Sequence, residues 1–302
     1  MRRFEREQSI VKVGKVVLGG QPGELPTVLI GSIFYDRDPT VTDGSRGLFD
    51  KKRAEQLISR QEELSEKTKN PHMVDVVAST TGAMERYLDF VSGVTDAAIL
   101  VDSSSRDVRL SGARHAAEVG LTDRVVYNSI EYHVNEGETT ALREIGIKHA
   151  ILLAYNPQNL WPSGRPAILH ERLLSAAERA GISSVLVDTA VLDVPSIGLA
   201  AEAVETVKRE LGLPTGCAPL NAVLEWKKVK ALGPKAKDAC SASAAAVIQM
   251  SGGDFILYGP ITKSEIVFPA CAMVDSVIAY EARLHGIKPR SNEHPLYTIF
   301  KG

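Results

Sequence analysis

Short apolar, β-branched runs alternate along the chain with longer stretches of helical period. The runs are PTVLIGSI (26–33), MVDVV (73–77), AAILVD (97–102), RVVYNSI (124–130), HAILLAY (149–155), SSVLVDT (183–189), LPTGCAPL (213–220) and DFILYG (254–259). Most hold four or five consecutive apolar residues with no polar alternation. Strands covered on both faces in a parallel sheet read that way. The weakest is 213–220, where Pro214, Gly216 and Pro219 leave little strand character.

Between the runs lie amphipathic stretches. From Phe49 to Lys67 the apolar positions Phe49, Ala54, Leu57, Ile58 and Leu64 make one buried stripe on an otherwise charged helix. Residues 80–94, 106–119, 136–145, 166–180, 196–211, 235–250 and 270–285 follow the same pattern. Several end at a glycine (Gly120, Gly181, Gly212, Gly286), which closes a helix with positive φ at little cost. Eight strand signals, each followed by a helix signal, predict a single (β/α)8 TIM barrel. The competing architecture is a doubly wound open sheet. Eight repeats use the whole chain, which favours the barrel. Residues 1–25, with KVGKVVLGG, predict a short N-terminal β-hairpin capping the barrel bottom. No linker or composition shift divides the chain, so one domain is expected over 1–302.

Composition narrows the function. Of 302 residues 44% are hydrophobic and 24% charged, which excludes disorder, collagen and coiled-coil rods. A net charge of −2 supplies no global basic field for nucleic acid or an anionic membrane, so any such contact needs a local patch. Three scattered cysteines without a CxxC fit a reducing cytosol. The N-terminus mixes arginine with glutamate and holds no signal-peptide core. No run reaches the ~18–20 apolar residues of a membrane span. A soluble, cytoplasmic protein is expected.

In a barrel the chemistry sits at the carboxyl ends of the strands. There the runs close on Asp75, Asp102, Asn128, Asn156, Asp188 and, after the seventh, Asn221. Asp and Asn are depleted in strands, and each alone is explained by capping the next helix, as Asp102 before SSSRD or Asp188 before TAVLD would. Six on one rim point instead to a site. Carboxylates and amides without Lys or His suit a flat heterocycle with N–H donors and carbonyl acceptors, such as a pterin.

Other chemistries lack their residues. Neither phosphate-binding glycine motif is present. The seven histidines show no HxH or HExxH spacing, so no metal bound by this chain is expected. There is no GxSxG elbow, and no strand end carries the lysine of a Schiff-base enzyme. Asp102 and Asp188 resemble a glycosidase pair, but aromatic residues, at 6%, are too few for sugar platforms.

Six segments resemble a known family: GGQPGELPTVLIGSIFY (19–35), LISRQEELSEKTKNP (57–71), ILVDSS (99–104), VVYNSI (125–130), AYNP (154–157) and PTGCAPLNA (214–222). They are similar to the MtrH (H-type) subunit of tetrahydromethanopterin S-methyltransferase and to its free-standing relatives, the methylcorrinoid:tetrahydrofolate methyltransferases, over about residues 4–290. More distantly they resemble methyltetrahydrofolate:corrinoid/iron–sulfur protein methyltransferases and dihydropteroate synthases, also pterin-binding barrels. The resemblance implies that Asp102 and Asn128 hold the pterin ring with Asp188. Asn221 is implied to contact N5, although GCAPLNA departs from the Gly-Leu-Ser-Asn pattern of the distant relatives. Asp75 and Asn156 would line the same pocket.

The implied reaction moves a methyl group between a methylcorrinoid and N5 of tetrahydrofolate, giving 5-methyltetrahydrofolate and Co(I) corrinoid. The chain has no D-x-H-x-x-G corrinoid motif, so a separate corrinoid carrier protein is the expected partner. Loops 34–48 and 156–166 would form a lid or docking surface, with Trp161 an exposed-aromatic candidate. A homodimer is implied by the family. The alternative within it is a tetrahydromethanopterin-specific subunit working only inside a larger complex. Pterin synthesis would need a diphosphate site, for which Lys263 is the one nearby candidate.

Overall fold

The structure is a computed structural model describing residues 3–299, so Met1 and Arg2 of the expected cap lie outside the described residues. Eight strands form its centre. They are β1 (Val28–Ile33), β2 (His72–Val77), β3 (Ala98–Asp102), β4 (Val125–Ile130), β5 (His149–Leu153), β6 (Ser184–Asp188), β7 (Thr215–Cys217) and β8 (Phe255–Pro260). All neighbours pair in parallel, β8 with β1 and β5 with β6, which closes the barrel and excludes the open sheet.

Alternation along each strand sorts the side chains into two cores. Outward residues such as Leu29, Val74, Ile99 and Val125 pack under the helices. Inward residues Val28, Ile30, Met73, Ala98, Leu100, Val126, Ile151, Leu186, Phe255 and Leu257 fill the lower barrel. Val13, Val16 and Leu18 join that same cluster from the antiparallel hairpin Ile10–Val13/Val16–Gly19, which plugs the bottom as expected. Above this floor the inward parity turns polar, through Ser32, Asp75, Asp102, Asn128 and Asp188.

The surrounding helices are α1 (Lys51–Thr68), α2 (Thr81–Val94), α3 (Arg106–Glu118), α4 (Glu136–Ile145), α5 (164–179, with a π turn at Leu169–Leu173), α6 (Ser196–Glu210), α7 (Pro219–Glu225), α8 (Lys227–Ala231), α9 (Pro234–Met250), α10 (Ser264–Ala282) and α11 (Pro295–Thr298). Two departures from expectation have local causes. The run 213–220 gives only three strand residues, because Pro219 starts α7 at a position where its missing N–H is harmless. The helix expected at 270–285 begins at Ser264 and runs through Pro269.

Packing between β1 and its cover is tight. A Cβ on Gly31 would lie 2.3 Å from both Gln61 Oε1 and Tyr258 Oη, two groups that hydrogen-bond each other there. Only a residue without a side chain fits under that pair.

Candidate functional site

The helices find their caps away from the strand ends. Helices α1, α2 and α4 are capped by Asp50, Thr80 and Asn135, whose side chains accept from Arg53, Ala83 and Glu138 N–H. Asp193 accepts from Ser196 N–H at the start of α6. Ser105, at the N-cap of α3, makes no side-chain cap bond. None of the strand-end residues Asp75, Asp102, Asn128 and Asp188 caps a helix.

Instead they surround a cavity of about 650 Å³ at the carboxyl ends of the strands. Asp75, Asp102, Asn128 and Asp188 reach it from β2, β3, β4 and β6, and Asn221 from the first turn of α7. Five of the six residues singled out from the sequence therefore meet. Asn156 does not line this cavity. It lies three residues past the end of β5, and its Oδ1 accepts from Gln158 N–H in a local turn. Leu153 takes the inward place on that strand.

The electrostatics of the floor follow from burial. Ser32 Oγ donates to Asp75 Oδ2 at 2.6 Å. Burial pushes the Asp75 carboxyl up to about 6, against the downward pull of Ser32 and of the Asn128 amide. Burial likewise lifts Asp188 to about 6, moderated by the Ala190 N–H that donates to its Oδ1 at 2.8 Å. Asp102 is held well above the usual carboxylate range by burial and then by the negative charge of Asp75. Arg109 pulls it down, while Asp188 and Glu131 push further up. The negative charges of Asp75 and Asp188 thus both oppose ionisation of Asp102, which makes it the hardest of the three to charge in the empty cavity.

The Asp102 carboxylate receives no hydrogen bond from the described residues and opens into the cavity. Asp75 Oδ1 is buried with no partner of hydrogen-bonding geometry. Unsatisfied acceptors in a cleft of perturbed carboxyls are the mark of a site that awaits donors from a ligand.

Several wall residues were not singled out from the sequence. Ser32 follows inward Ile30 by two residues, so strand parity alone would have found it. Tyr35 and Asp36 come from the loop after β1, and Glu225 and Lys237 from the region of α7 to α9. Buried Arg109 stands behind the floor. It donates to Ser103 O (2.6 Å), Glu131 Oε1 (2.8 Å) and Tyr127 Oη (3.3 Å), tying the end of β3 to that of β4. Its signal was an arginine on the buried stripe of α3.

On the opposite wall Gly259, with φ of +71°, leaves room for Asn221. A Cβ there would lie 2.8 Å from Asn221 Oδ1. Lys263 also lines the cavity and donates to Asp238 Oδ1 at 2.8 Å. The loop around 34–48 is held by Asp38, which accepts from Phe34 N–H, Thr40 N–H and Thr40 Oγ1. Buried Arg165 fixes the other loop by donating to the carbonyls of Leu160, Trp161 and Thr189, while Trp161 stays 69% exposed. Among the described residues no three His, Cys, Asp or Glu side chains group so as to hold a metal ion. Nor is any helix among them long and apolar enough to cross a membrane.

The barrel is of the dihydropteroate synthase type. It superposes on the Yersinia pestis dihydropteroate synthase with a TM-score of 0.57, at 15% identity over 89% of this chain and 98% of that one. The Xanthomonas albilineans dihydropteroate synthase in complex with 7,8-dihydropteroate gives 0.59, at 16% identity and the same coverage. Within that fold, residues 6–290 match the family described as tetrahydromethanopterin S-methyltransferase MtrH subunit, and the chain belongs to this family, as its motifs implied. It is 39% identical to the H-type subunit of the tetrahydromethanopterin S-methyltransferase of Methanothermobacter thermautotrophicus, covering 99% of this chain and all of the relative. It is 39% identical, with the same coverage, to the H-type subunit of the putative methyltransferase mtx of Methanosarcina barkeri.

Proposed function

We propose that the cavity holds the ring of a 5-methyltetrahydropterin and that the protein passes its N5 methyl group to or from a corrinoid on a separate carrier protein. One observation carries this reading: five Asp and Asn residues from different elements converge on a single cavity, with the Asp102 carboxylate left free of hydrogen bonds. Asp102, whose ionisation the ring's N–H donors would favour, accepts two parallel N–H bonds from the amino-pyrimidinone edge. Asn128 and Asp75 satisfy the neighbouring polar atoms, and Asn221 lies on the wall facing N5. The carrier's cobalt supplies the other end of the methyl displacement. This chain's share is to fix N5, exclude water and hold protons, and alignment of this kind is worth about 7–11 kcal/mol of a bimolecular barrier.

The relatives are named for tetrahydromethanopterin. Those names support a methanopterin-linked subunit of a larger methyltransferase over the tetrahydrofolate expectation. The reading makes the chain a cytoplasmic partner of the corrinoid carrier and, through the family resemblance, a homodimer. Anaerobic calorimetric titration with 5-methyltetrahydromethanopterin and with 5-methyltetrahydrofolate tests it. Saturable heat with the methanopterin supports the reading, heat with the folate alone restores the sequence-based expectation, and silence with both refutes the pterin site.

The floor also sets a pH dependence. Ring N–H donors need ionised acceptors, and Asp75 and Asp188 ionise only above about 6. Affinity is therefore expected to fall as pH drops below about 6, by up to roughly tenfold per unit for each proton taken up. Titrations from pH 7.5 to 5, with ring protonation read separately from ligand absorbance, check this. A constant Kd would contradict it.

A further inference from the structure

Behind the ends of β3 and β4 lies a polar cluster that the proposed chemistry has not used. Arg106, Arg109, Tyr127, Glu131 and Glu138 meet there, and none of the five lines the cavity. Arg109, Tyr127 and Glu138 are buried. Tyr127 Oη donates to Glu138 Oε1 at 2.7 Å, and Arg106 Nε pairs with Glu138 Oε2 at 2.8 Å. Arg109 reaches Tyr127 and Glu131, and it also donates to the carbonyl of Ser103, the residue after Asp102.

Stability alone is a poor reason to keep such a cluster. Taking ions out of water costs several kcal/mol each, and well-packed apolar side chains serve a core as well or better. Yet α3 sets Arg109 on its buried stripe beside Val108, Leu110 and Ala113. The charge count gives the arginine its sense. Arg106 and Glu138 pair with each other, so Arg109 is shared between Glu131, which it bonds, and the end of β3, where Asp102 stands. Asp102 feels negative charge from Asp75 on β2, Asp188 on β6 and Glu131 after β4, and positive charge from Arg109 on α3.

We infer that Arg109 and Glu131 are positioning residues of the ring site: Arg109 fixes the end of β3 and counters the negative field on Asp102, and Glu131 draws off part of that positive charge. The pair rests on the pterin reading of the cavity and deepens it, since it sets the pH above which Asp102 can grip the ring.

The sign follows from the proton. Asp102 must be ionised to accept two N–H bonds, so a ring that binds the protonated form releases that proton to solvent. Below the ionisation of the empty site, affinity rises about tenfold per pH unit for this proton; above it, affinity is level and no proton is released. Arg109 keeps its own charge throughout this range. Loss of the Arg109 charge therefore moves the bend to higher pH, and loss of the Glu131 charge moves it to lower pH.

The test is anaerobic calorimetry of the full chain from about pH 5.5 to 8.5, with whichever of the two methylated pterins the wild type binds. Paired buffers of different ionisation heat count the protons released. Arg109→Gln is expected to raise the bend by about one pH unit, which is about tenfold weaker binding at a fixed pH on the slope, with more protons released per ligand. Arg109→Lys keeps the charge and is expected to bring the bend back to within about half a unit of wild type. Glu131→Gln, at a half-exposed position, is expected to lower the bend by about half a unit, or about threefold tighter binding on the slope. In an Asp102→Asn background Glu131→Gln is expected to leave the profile unmoved.

Opposite displacements by the two charge-removing variants support the inference. Affinity lost equally at every pH in Arg109→Gln, with an unchanged proton count, overturns it and makes Arg109 a structural residue, while the pterin reading stands. If Arg109→Gln does not fold, Glu131→Gln decides alone: a bend that stays or rises overturns the inference. So does a wild type that releases no proton anywhere in the range, or a Glu131→Gln displacement that persists without Asp102. Failure of both pterins to bind the wild type removes the pterin reading and the inference together.

Discussion

Asp102→Asn is expected to weaken binding of the 5-methyltetrahydropterin about 10- to 100-fold while leaving the fold intact. A carboxylate that accepts two N–H bonds becomes an amide that turns its own NH₂ toward one of them. Losing a hydrogen bond to a charged group costs about 1.5–3 kcal/mol, which sets that range. Stability moves the other way. Asp102 receives no hydrogen bond from the described residues, and burial and Asp75 both oppose its charge. Removing the carboxylate relieves that opposition, so the thermal midpoint is expected to hold or rise. Binding loss with a gain in stability marks a residue kept for its ligand. Unaltered affinity, or a fall in midpoint that accompanies the affinity loss, would argue that Asp102 is structural.

The second large effect is expected at Asn221, in the rate of transfer. N5 leaves or enters the reaction with a lone pair whose hydrogen-bonding state changes, and an amide can serve either state without titrating. Removal of one such preorganised group costs about 10²–10³ in rate. Asn221→Ala is therefore expected to slow single-turnover methyl transfer about a hundredfold, with affinity changed only a fewfold. The exposed side chain is not part of the core, and its Oδ1 sits over the bare Cα of Gly259. Gly259→Ala should reproduce the rate defect, because the new methyl would displace that oxygen. A tenfold loss of affinity with the rate constant unchanged would refute the N5 role.

The barrel was legible because β-branched runs and amphipathic stretches alternate eight times with little left over. The glycine stops at Gly120, Gly181, Gly212 and Gly286 all adopt positive φ. Legibility failed where length or parity was short. The fifth apolar run extends to Tyr155, two residues past the true end of β5. Its length therefore predicts Asn156 on the rim, whereas Leu153 holds the inward position and Asn156 closes a turn. Pro269 suggests a late start for α10, yet the helix tolerates it at an exposed position in its second turn. The loop 34–48 contains a two-stranded ribbon, Val41–Asp43 with Leu48–Phe49, too short to leave a periodic signal. Arg109 gave one faint signal, a charged residue on the buried stripe of α3, because its role depends on which chain segments become neighbours and residue types in sequence order do not carry that.

The hairpin that plugs the barrel bottom has a kinetic consequence. Val13, Val16 and Leu18 fill the bottom of the barrel, so a ligand of the proposed site would enter and leave at the carboxyl end of the strands. If the proposed function holds, a carrier seated at that end would cover any pterin already inside. The expected order is then pterin first, carrier second, carrier off before product. Steady-state kinetics should be those of an ordered sequential mechanism, with excess methyl carrier trapping the pterin product and inhibiting turnover.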